Sequence, residues 1–402
     1  MILPLLLALT AHAQDVPVPT AKSSAESETM AQIRHDLFGA TFVPFYQYIR
    51  FDSQSGNTQF VGYAGIGAVS GLDHPPNVDL YTLHAQRKAG RGEWVLGRQQ
   101  ASTLQRRQTF DGARYWWRPN GHVALDAWGG VARHFDLDDF RDGTGIGRIA
   151  MNLRGGPMLV RAGAQVEAGK DTPFIAREDL QARATLGKGV DAPVLEGLIS
   201  IAEPDFTVEW GRVEVRVPVG GRVDLGLHGQ HREAANPNAL FGDAILATLA
   251  GGGVNEAGVS VIAYGPQWAR FSGTYRLVDY TGPTAGQGLG HEIDLAYMPG
   301  RTGKSYRITP SYSFRSGPNG AYHAFYVVAD DRLDDGTRVQ ARAAVVPFQK
   351  GHDRWRVAVD GGLEGSRDLT PGTSLRASLD AATDGTFKVD LRLGAAITVR
   401  LP

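Results

Sequence analysis

The fold class predicted for this chain is all-β, built from long antiparallel strands. Three observations carry that reading. Apolar and polar residues alternate with a period of two from about residue 59 to the C-terminus, the pattern of strands that separate two environments. The connections between these strands alternate between short and long. The N-terminus looks like an export signal, and past residue 10 no apolar run is long enough for a membrane helix, which would need roughly 18 residues or more.

The elements follow in order. Met1–Thr10 (MILPLLLALT) is a short apolar run, closed by Ala11-His12-Ala13. An apolar segment ending in A-x-A predicts a secretory signal peptide over 1–13, cleaved after Ala13. Residues 14–29 are rich in Pro, Ser and Glu and read as a periplasmic linker. Met30, Ile33, Leu37 and Phe38 have helical spacing, so residues 14–40 are expected to be a linker with one short amphipathic helix. Residues 41–402 form the strand-rich region. At its end Leu391, Leu393, Ala395, Ile397 and Val399 share one face, against Asp390, Arg392, Gly394, Ala396, Thr398 and Arg400. The same alternation recurs around Val223–Gln230, Ala269–Leu277, Tyr306–Arg315 and Arg354–Asp360. Near Trp210 the phase slips by one, which places a bulge at Gly211.

Short connections include Pro119-Asn120-Gly121, Gly155-Gly156-Pro157, Val219-Gly220-Gly221, Gly265-Pro266 and Pro299-Gly300-Arg301. Longer ones cover 100–109, 134–145, 168–178, 232–255 and 280–290. Alternating short turns and long loops on strands of about 9–11 residues mark a transmembrane up-and-down antiparallel barrel. About 18 strands are expected, within roughly 16–20. A soluble sandwich or propeller is the rival, but the chain has no blade repeat. Tyr46, Tyr48, Trp116, Trp117, Trp210, Trp268, Tyr297, Tyr306, Tyr322, Tyr326, Trp355 and Phe387 are expected as aromatic girdles at the membrane interfaces.

Composition narrows the function. Lys+Arg is 41 against Asp+Glu 42, so the basic excess of a nucleic-acid binder is missing. Cysteine is absent, which excludes a disulfide scaffold and Cys-ligated zinc or iron–sulfur sites. The sequence holds no G-x-S-x-G, H-E-x-x-H, P-loop or dinucleotide fingerprint. No cofactor and no enzymatic activity are expected.

One stretch is more particular. Gly97-Arg98-Gln99, followed by Gln108-Thr109-Phe110-Asp111-Gly112-Ala113-Arg114, resembles the GRQ…TFDGxR segment of alginate-export-type and related substrate-specific porins. The whole chain resembles Gram-negative outer-membrane porins by pattern. The resemblance implies an outer-membrane β-barrel. The chain departs from such porins at Val399-Arg400-Leu401-Pro402, where they carry a terminal aromatic residue.

A barrel of this type acts through its bore, so its lining sets selectivity. The polar strand faces offer Arg212, Arg216, Arg222, Asp224, Arg270, Arg276, Arg307, Arg315, Arg342, Arg354, Arg356, Asp360, Arg376, Asp380 and Arg392 as pore-lining residues. Residues 239–250 (ALFGDAILATLA) are a helix-like apolar stretch in the longest loop. Leu240, Phe241, Asp243, Ile245, Leu246 and Leu249 are candidates for a constriction, or for packing on the rim. The acidic loop with Asp136, Asp138, Asp139 and Asp142 is a lesser candidate for calcium, read first as solvated surface. For a hydrolytic site, His122, Asp126, His228, His291 and His323 are the residues to inspect. Each also suits an ordinary lumen or rim position.

The reading is an outer-membrane channel for passive diffusion of small polar, slightly preferentially anionic, solutes. Its partners are outer-membrane lipid and those solutes. A homo-oligomer or a periplasmic partner is compatible with it. A structural barrel sheathing a partner such as an electron-conduit cytochrome is the second class, and a barrel-borne hydrolase the third.

Overall fold

The computed structural model describes residues 22–35, 41–70, 77–102, 107–133, 144–169, 174–187, 192–203, 206–233, 253–281, 288–300, 306–318, 320–333, 336–350, 354–383 and 390–401. Among the described residues lie 22 β-strands and one short 3-10 turn at Pro266–Trp268. The first half comprises β1 (Lys22–His35), β2 (Thr41–Ser55), β3 (Thr58–Ser70), β4 (Asn77–Ala89), β5 (Gly92–Ser102), β6 (Arg107–Trp117), β7 (Val123–Arg133), β8 (Gly145–Gly155), β9 (Met158–Ala168), β10 (Ile175–Thr185) and β11 (Val194–Glu203). The second comprises β12 (Thr207–Val219), β13 (Val223–Arg232), β14 (Val254–Tyr264), β15 (Arg270–Tyr280), β16 (Gly288–Met298), β17 (Arg307–Gly317), β18 (Gly320–Arg332), β19 (Arg338–Lys350), β20 (Arg356–Thr370), β21 (Thr373–Thr383) and β22 (Asp390–Leu401).

Each strand pairs antiparallel with its neighbours in sequence, and β1 pairs with β22 as well as β2. The sheet is therefore a closed up-and-down barrel with no free edge. At a strand spacing of about 4.8 Å and a tilt of about 40°, 22 strands give a backbone diameter of roughly 45 Å. A strand of 11 residues, the length of β5, then rises roughly 25–28 Å along the axis, which matches the apolar band of an outer-membrane barrel.

The two ends differ. Lys22 and Leu401 lie at the end that carries the tight turns 56–57, 90–91, 156–157, 220–222 and 371–372. The other end carries the connections 134–144, 233–253 and 281–287. Every turn and loop named from the sequence falls at the end its length implies. Gly56, Gly90, Gly156, Gly220 and Gly221 all have positive φ in these turns, a conformation glycine adopts without strain.

The faces separate as the alternation requires. Leu225, Leu227, Val259, Leu277, Leu295, Phe325, Val345, Leu379, Leu393 and Ile397 are exposed on the outer face. Asp126, Arg148, Glu167, Arg177, Asp179, Asp224, Glu292 and Asp390 are buried on the inner one. In water such an outer surface would forfeit roughly 1.5–3 kcal/mol per large side chain. In lipid it is at rest.

Four sequence expectations are corrected. The strands number 22, above the expected range. Residues 22–35, read as linker and helix, form β1. Its outward positions are Ser23, Ala25, Ser27, Thr29, Ala31 and Ile33, too polar and small to produce an apolar alternation. Thr29 Oγ1 donates to Gln47 Oε1 (2.8 Å) and Gln47 Nε2 to Ser27 Oγ (2.6 Å), so the outward polar groups satisfy one another. The bulge near Trp210 falls at Glu209, since Ser200 faces Trp210 while Ile201 faces Val208. Finally, Tyr46, Tyr48, Trp116, Trp210, Tyr322 and Tyr326 occupy inward register positions rather than an outer girdle. Trp117, Tyr297, Tyr306 and Trp355 do lie outward and exposed.

Because β1 closes the ring, deleting residues 22–35 leaves β2 and β22 each with an unpaired edge in lipid, a severe cost for every orphaned backbone group. The deletion protein is expected to lose heat-modifiable migration in detergent gels. A normal compact band would show that the segment is dispensable, as a linker is.

Candidate functional site: the inner wall of the barrel

The inner wall is built from cross-strand ion pairs. The most buried of them lie between β6 and the start of β12. Arg148 forms a two-point bridge to Asp179, at 2.5 and 2.8 Å, with side chains 1% and 7% exposed. Arg177 links Glu167 (2.9 Å) to Glu209 (2.9 Å). Glu209 is the extra residue of the β12 bulge, so the bulge delivers this carboxylate to Arg177. Arg114 holds Asp126 through two bonds of 2.8 Å. Arg148–Asp179 and Arg114–Asp126 are two-point pairs, and Arg177 divides its donors between two carboxylates, so the buried charges are hydrogen-bonded as well as paired.

Around the rest of the ring the pairs are more open. Arg212 meets Glu214 (2.5 Å), and Arg216 meets Asp224, which also accepts from Tyr264 (3.0 Å). Arg276 bridges Glu292 (2.9 Å) and Asp294, and Arg315 shares Glu292 (3.4 Å). Arg342 reaches Asp380 (2.7 Å) and Asp360 (3.8 Å), and Arg392 meets Asp390 (2.7 Å). Two pairs cross the closing seam, Arg376–Glu28 (2.8 Å) and Arg400–Glu26 (3.3 Å). Exposed pairs of this kind contribute only about 0–1 kcal/mol each. Their effect on the bore is electrostatic: each offsets a fixed positive charge.

The predicted lining residues fall as follows. Arg212, Arg216, Asp224, Arg270, Arg276, Arg307, Arg315, Arg342, Arg356, Asp360, Arg376, Asp380 and Arg392 occupy inward positions. Arg222 sits in the 220–222 turn and Arg354 precedes β20, so both are rim residues. The sequence reading named Asp126 but missed the rest of the buried half of the wall: Arg114, Arg148, Glu167, Arg177 and Asp179. Its signal was present in β10, where Arg177, Asp179, Gln181 and Arg183 alternate, but the opposite face there is only weakly apolar.

The stretch around Gly97 and Asp111 has a structural role. Arg98 faces Asp111 and Gly97 faces Gly112 across β5 and β6. Gly97 has φ +116, and a Cβ there would sit 2.3 Å from the Leu83 carbonyl oxygen. Asp111 accepts from Arg98 Nε and Nη2 (2.6 and 2.7 Å) and from Arg133 Nε (2.8 Å). These three side chains lie on the outward face, in register with Leu83 and Val131. The interleaved residues face inward. Phe110 and Trp128 stack at 4.8 Å among Ala101, Ala132 and Ile146, an apolar patch buried on the inner wall.

The hydrolase candidates do not converge. His122 Nδ1 bonds the Arg154 carbonyl in a turn (2.8 Å), and Asp126 is held by Arg114. His228 faces inward beside Gly258. His291 and His323 face outward, bonded to the hydroxyls of Tyr275 (2.8 Å) and Tyr312 (2.9 Å). Among the described residues no cluster of His, Asp and Glu is arranged to hold a metal. Asp136, Asp138, Asp139 and Asp142 lie outside the described residues, as do Leu240, Phe241, Asp243, Ile245, Leu246 and Leu249.

No protein-family model and no curated protein sequence matches the chain. Solved structures do. The translocation pore of the P pilus usher PapC aligns over 94% of this chain and 99% of its own, with a TM-score of 0.51 and 9% identity. The outer-membrane protein OpdK of Pseudomonas aeruginosa covers 94% and 99%, at TM-score 0.47 and 11% identity. A BenF-like porin from Pseudomonas fluorescens covers 95% and 99%, at 0.47 and 10%. The usher likeness is one of fold alone. Closure, face chemistry and that likeness together define the class of fold: a closed up-and-down antiparallel β-barrel, apolar on its outer face and charged on its inner one.

Asp111 is the counter-charge for two arginines on the lipid-facing wall. Asp111→Asn is expected to destabilise the barrel by about 1–3 kcal/mol, between the midplane and interfacial costs of an outward arginine. Urea unfolding in detergent measures this, and an unchanged midpoint would show that the triad carries no stability.

Proposed function

We propose that the chain is a passive outer-membrane channel for small polar solutes, anions included. The observation that carries this reading is the combination of a closed 22-stranded ring with a charged, hydrogen-bonded inner face. Barrels of about 16–18 strands already leave an aqueous channel, and this ring is wider. Transport of this kind needs a wet lumen whose width and charge set selectivity.

The ion pairs support weak charge discrimination. Arg276, Arg315, Arg342, Arg376 and Arg392 each have a carboxylate partner. A slight anion preference is therefore expected in dilute salt, fading at molar salt where the Debye length is about 3 Å.

Planar-bilayer recording tests the proposal. The wild-type protein should give ohmic steps with a reversal potential near zero in a salt gradient, displaced slightly toward anions. Replacing Arg276, Arg307 and Arg315 with glutamine strips Glu292 and Asp294 of their cations, so the variant should turn cation-selective. Absence of any conductance from folded protein would overturn the channel. An unchanged reversal potential in the triple variant would remove these residues from the conducting wall.

A further inference from the structure

The inward faces of β2, β3 and β4 differ from the rest of the wall. Four tyrosines, Tyr46, Tyr48, Tyr63 and Tyr81, lie together there, each partly exposed. Tyr46 and Tyr48 have centroids 6.2 Å apart and planes within 13°. Tyr48 and Tyr63 are 6.1 Å apart at 24°, and Tyr63 and Tyr81 are 4.9 Å apart at 29°. Such spacings and small angles describe offset-stacked rings, overlapping most at Tyr63 and Tyr81.

The backbone is shaped to hold those rings. Gly65 faces Tyr48 and Gly67 faces Tyr46 across β2 and β3. A Cβ on Gly65 would lie 3.0 Å from the rings of Tyr48 and Tyr81, and one on Gly67 would lie 3.2 Å from Tyr46. The glycines therefore let the rings lie down over β3. Tyr81 joins them through a bulge: Tyr63 faces Thr82 and Ala64 faces Leu80, so Tyr81 is the extra residue of β4.

The surrounding charge is balanced. Glu28 faces Tyr48 and is bridged by Arg376 at 2.8 Å. Asp79 faces Gly65, and Arg50 faces Tyr63. Two carboxylates and two guanidiniums thus border the rings.

We propose that these four tyrosines form a stacking platform for uncharged oligosaccharides in the lumen. The proposal rests on the reading of that lumen as an aqueous passage. A pyranose ring sets its C–H face on an aromatic π-face, and its rim of hydroxyls meets the phenols and the bordering carboxylates. An aromatic acid would meet Glu28 and Asp79. An organic cation would find Glu28 already matched by Arg376, and Asp79 already accepting from Asn77 Nδ2. Rings that merely cover glycines, a known stabilising device in sheets, would need no ligand, so binding separates the two roles.

The test is isothermal titration calorimetry with maltohexaose on the full chain in lipid nanodiscs free of glycosidic detergent. Saturable binding is expected. Tyr63→Ala/Tyr81→Ala should weaken it at least about tenfold, the scale of one lost stacking contact. Tyr63→Phe/Tyr81→Phe keeps the rings and should stay within about threefold. Heat-modifiable migration checks the fold of each variant, and Tyr81→Ala alone serves if the double variant does not assemble. The proposal is overturned if maltohexaose gives no saturable heat, if the alanine variants bind as wild type, or if benzoate or benzyltrimethylammonium binds there in its place. Conductance of the same preparation is recorded separately. An open channel without saccharide binding rejects the platform and leaves the channel standing, whereas a protein without conductance rejects the channel itself.

Discussion

The structure depends on one constraint: a sheet immersed in lipid must leave no backbone N–H or C=O without a partner. Water cannot serve there, so the ring has to close. Closure is made by β1, which pairs with β2 over most of its length and with β22 from Ala25–Leu401 to His35–Leu391. Once closed, the strand pleat assigns every second residue to lipid and every other one to the bore. The ion pairs, the aromatic layer and the outward triad are consequences of that assignment.

Charge is treated differently on the two faces. Inside, carboxylates answer arginines around most of the ring, and the pairs Arg148–Asp179 and Arg177–Glu167 are buried deeply enough that their geometry must be good. Such pairs fix strand register as much as they tune the lumen, since a slip by one residue would turn each charge to lipid. Outside, charge is sparser, and its best-matched group is one triad. Asp111 takes both Arg98 and Arg133. Residues that resemble a porin sequence signature thus divide by parity, Arg98 and Asp111 to the outer wall, Gln99, Phe110 and Arg114 to the inner.

Departures from regular pairing sit where the wall carries its most specific chemistry. The β12 bulge gives Glu209 to Arg177, and the β4 bulge gives Tyr81 to the tyrosine layer. Both add one inward side chain that strict alternation would not supply. The glycines Gly65 and Gly67 do the reverse, removing side chains so that neighbouring rings can lie flat.

The sequence by itself determined the strand class, the alternation of turns and loops, and the inward position of residues such as Arg276, Arg342 and Arg392. It could do so because a period of two is local and needs no knowledge of neighbours. It did not determine the strand count or the place of β1, because Ser23, Ala25, Ser27 and Thr29 carry no apolar signal. Only the tertiary structure decided which arginine meets which carboxylate, that Arg98 and Asp111 face outward, that Tyr46 and Tyr48 line the bore, and that His291 and His323 do not. Those outcomes depend on cross-strand register and on bulges, which pair residues distant in sequence, as Arg376 and Glu28 show across the closing seam. No local pattern encodes that pairing: it follows from closing the ring.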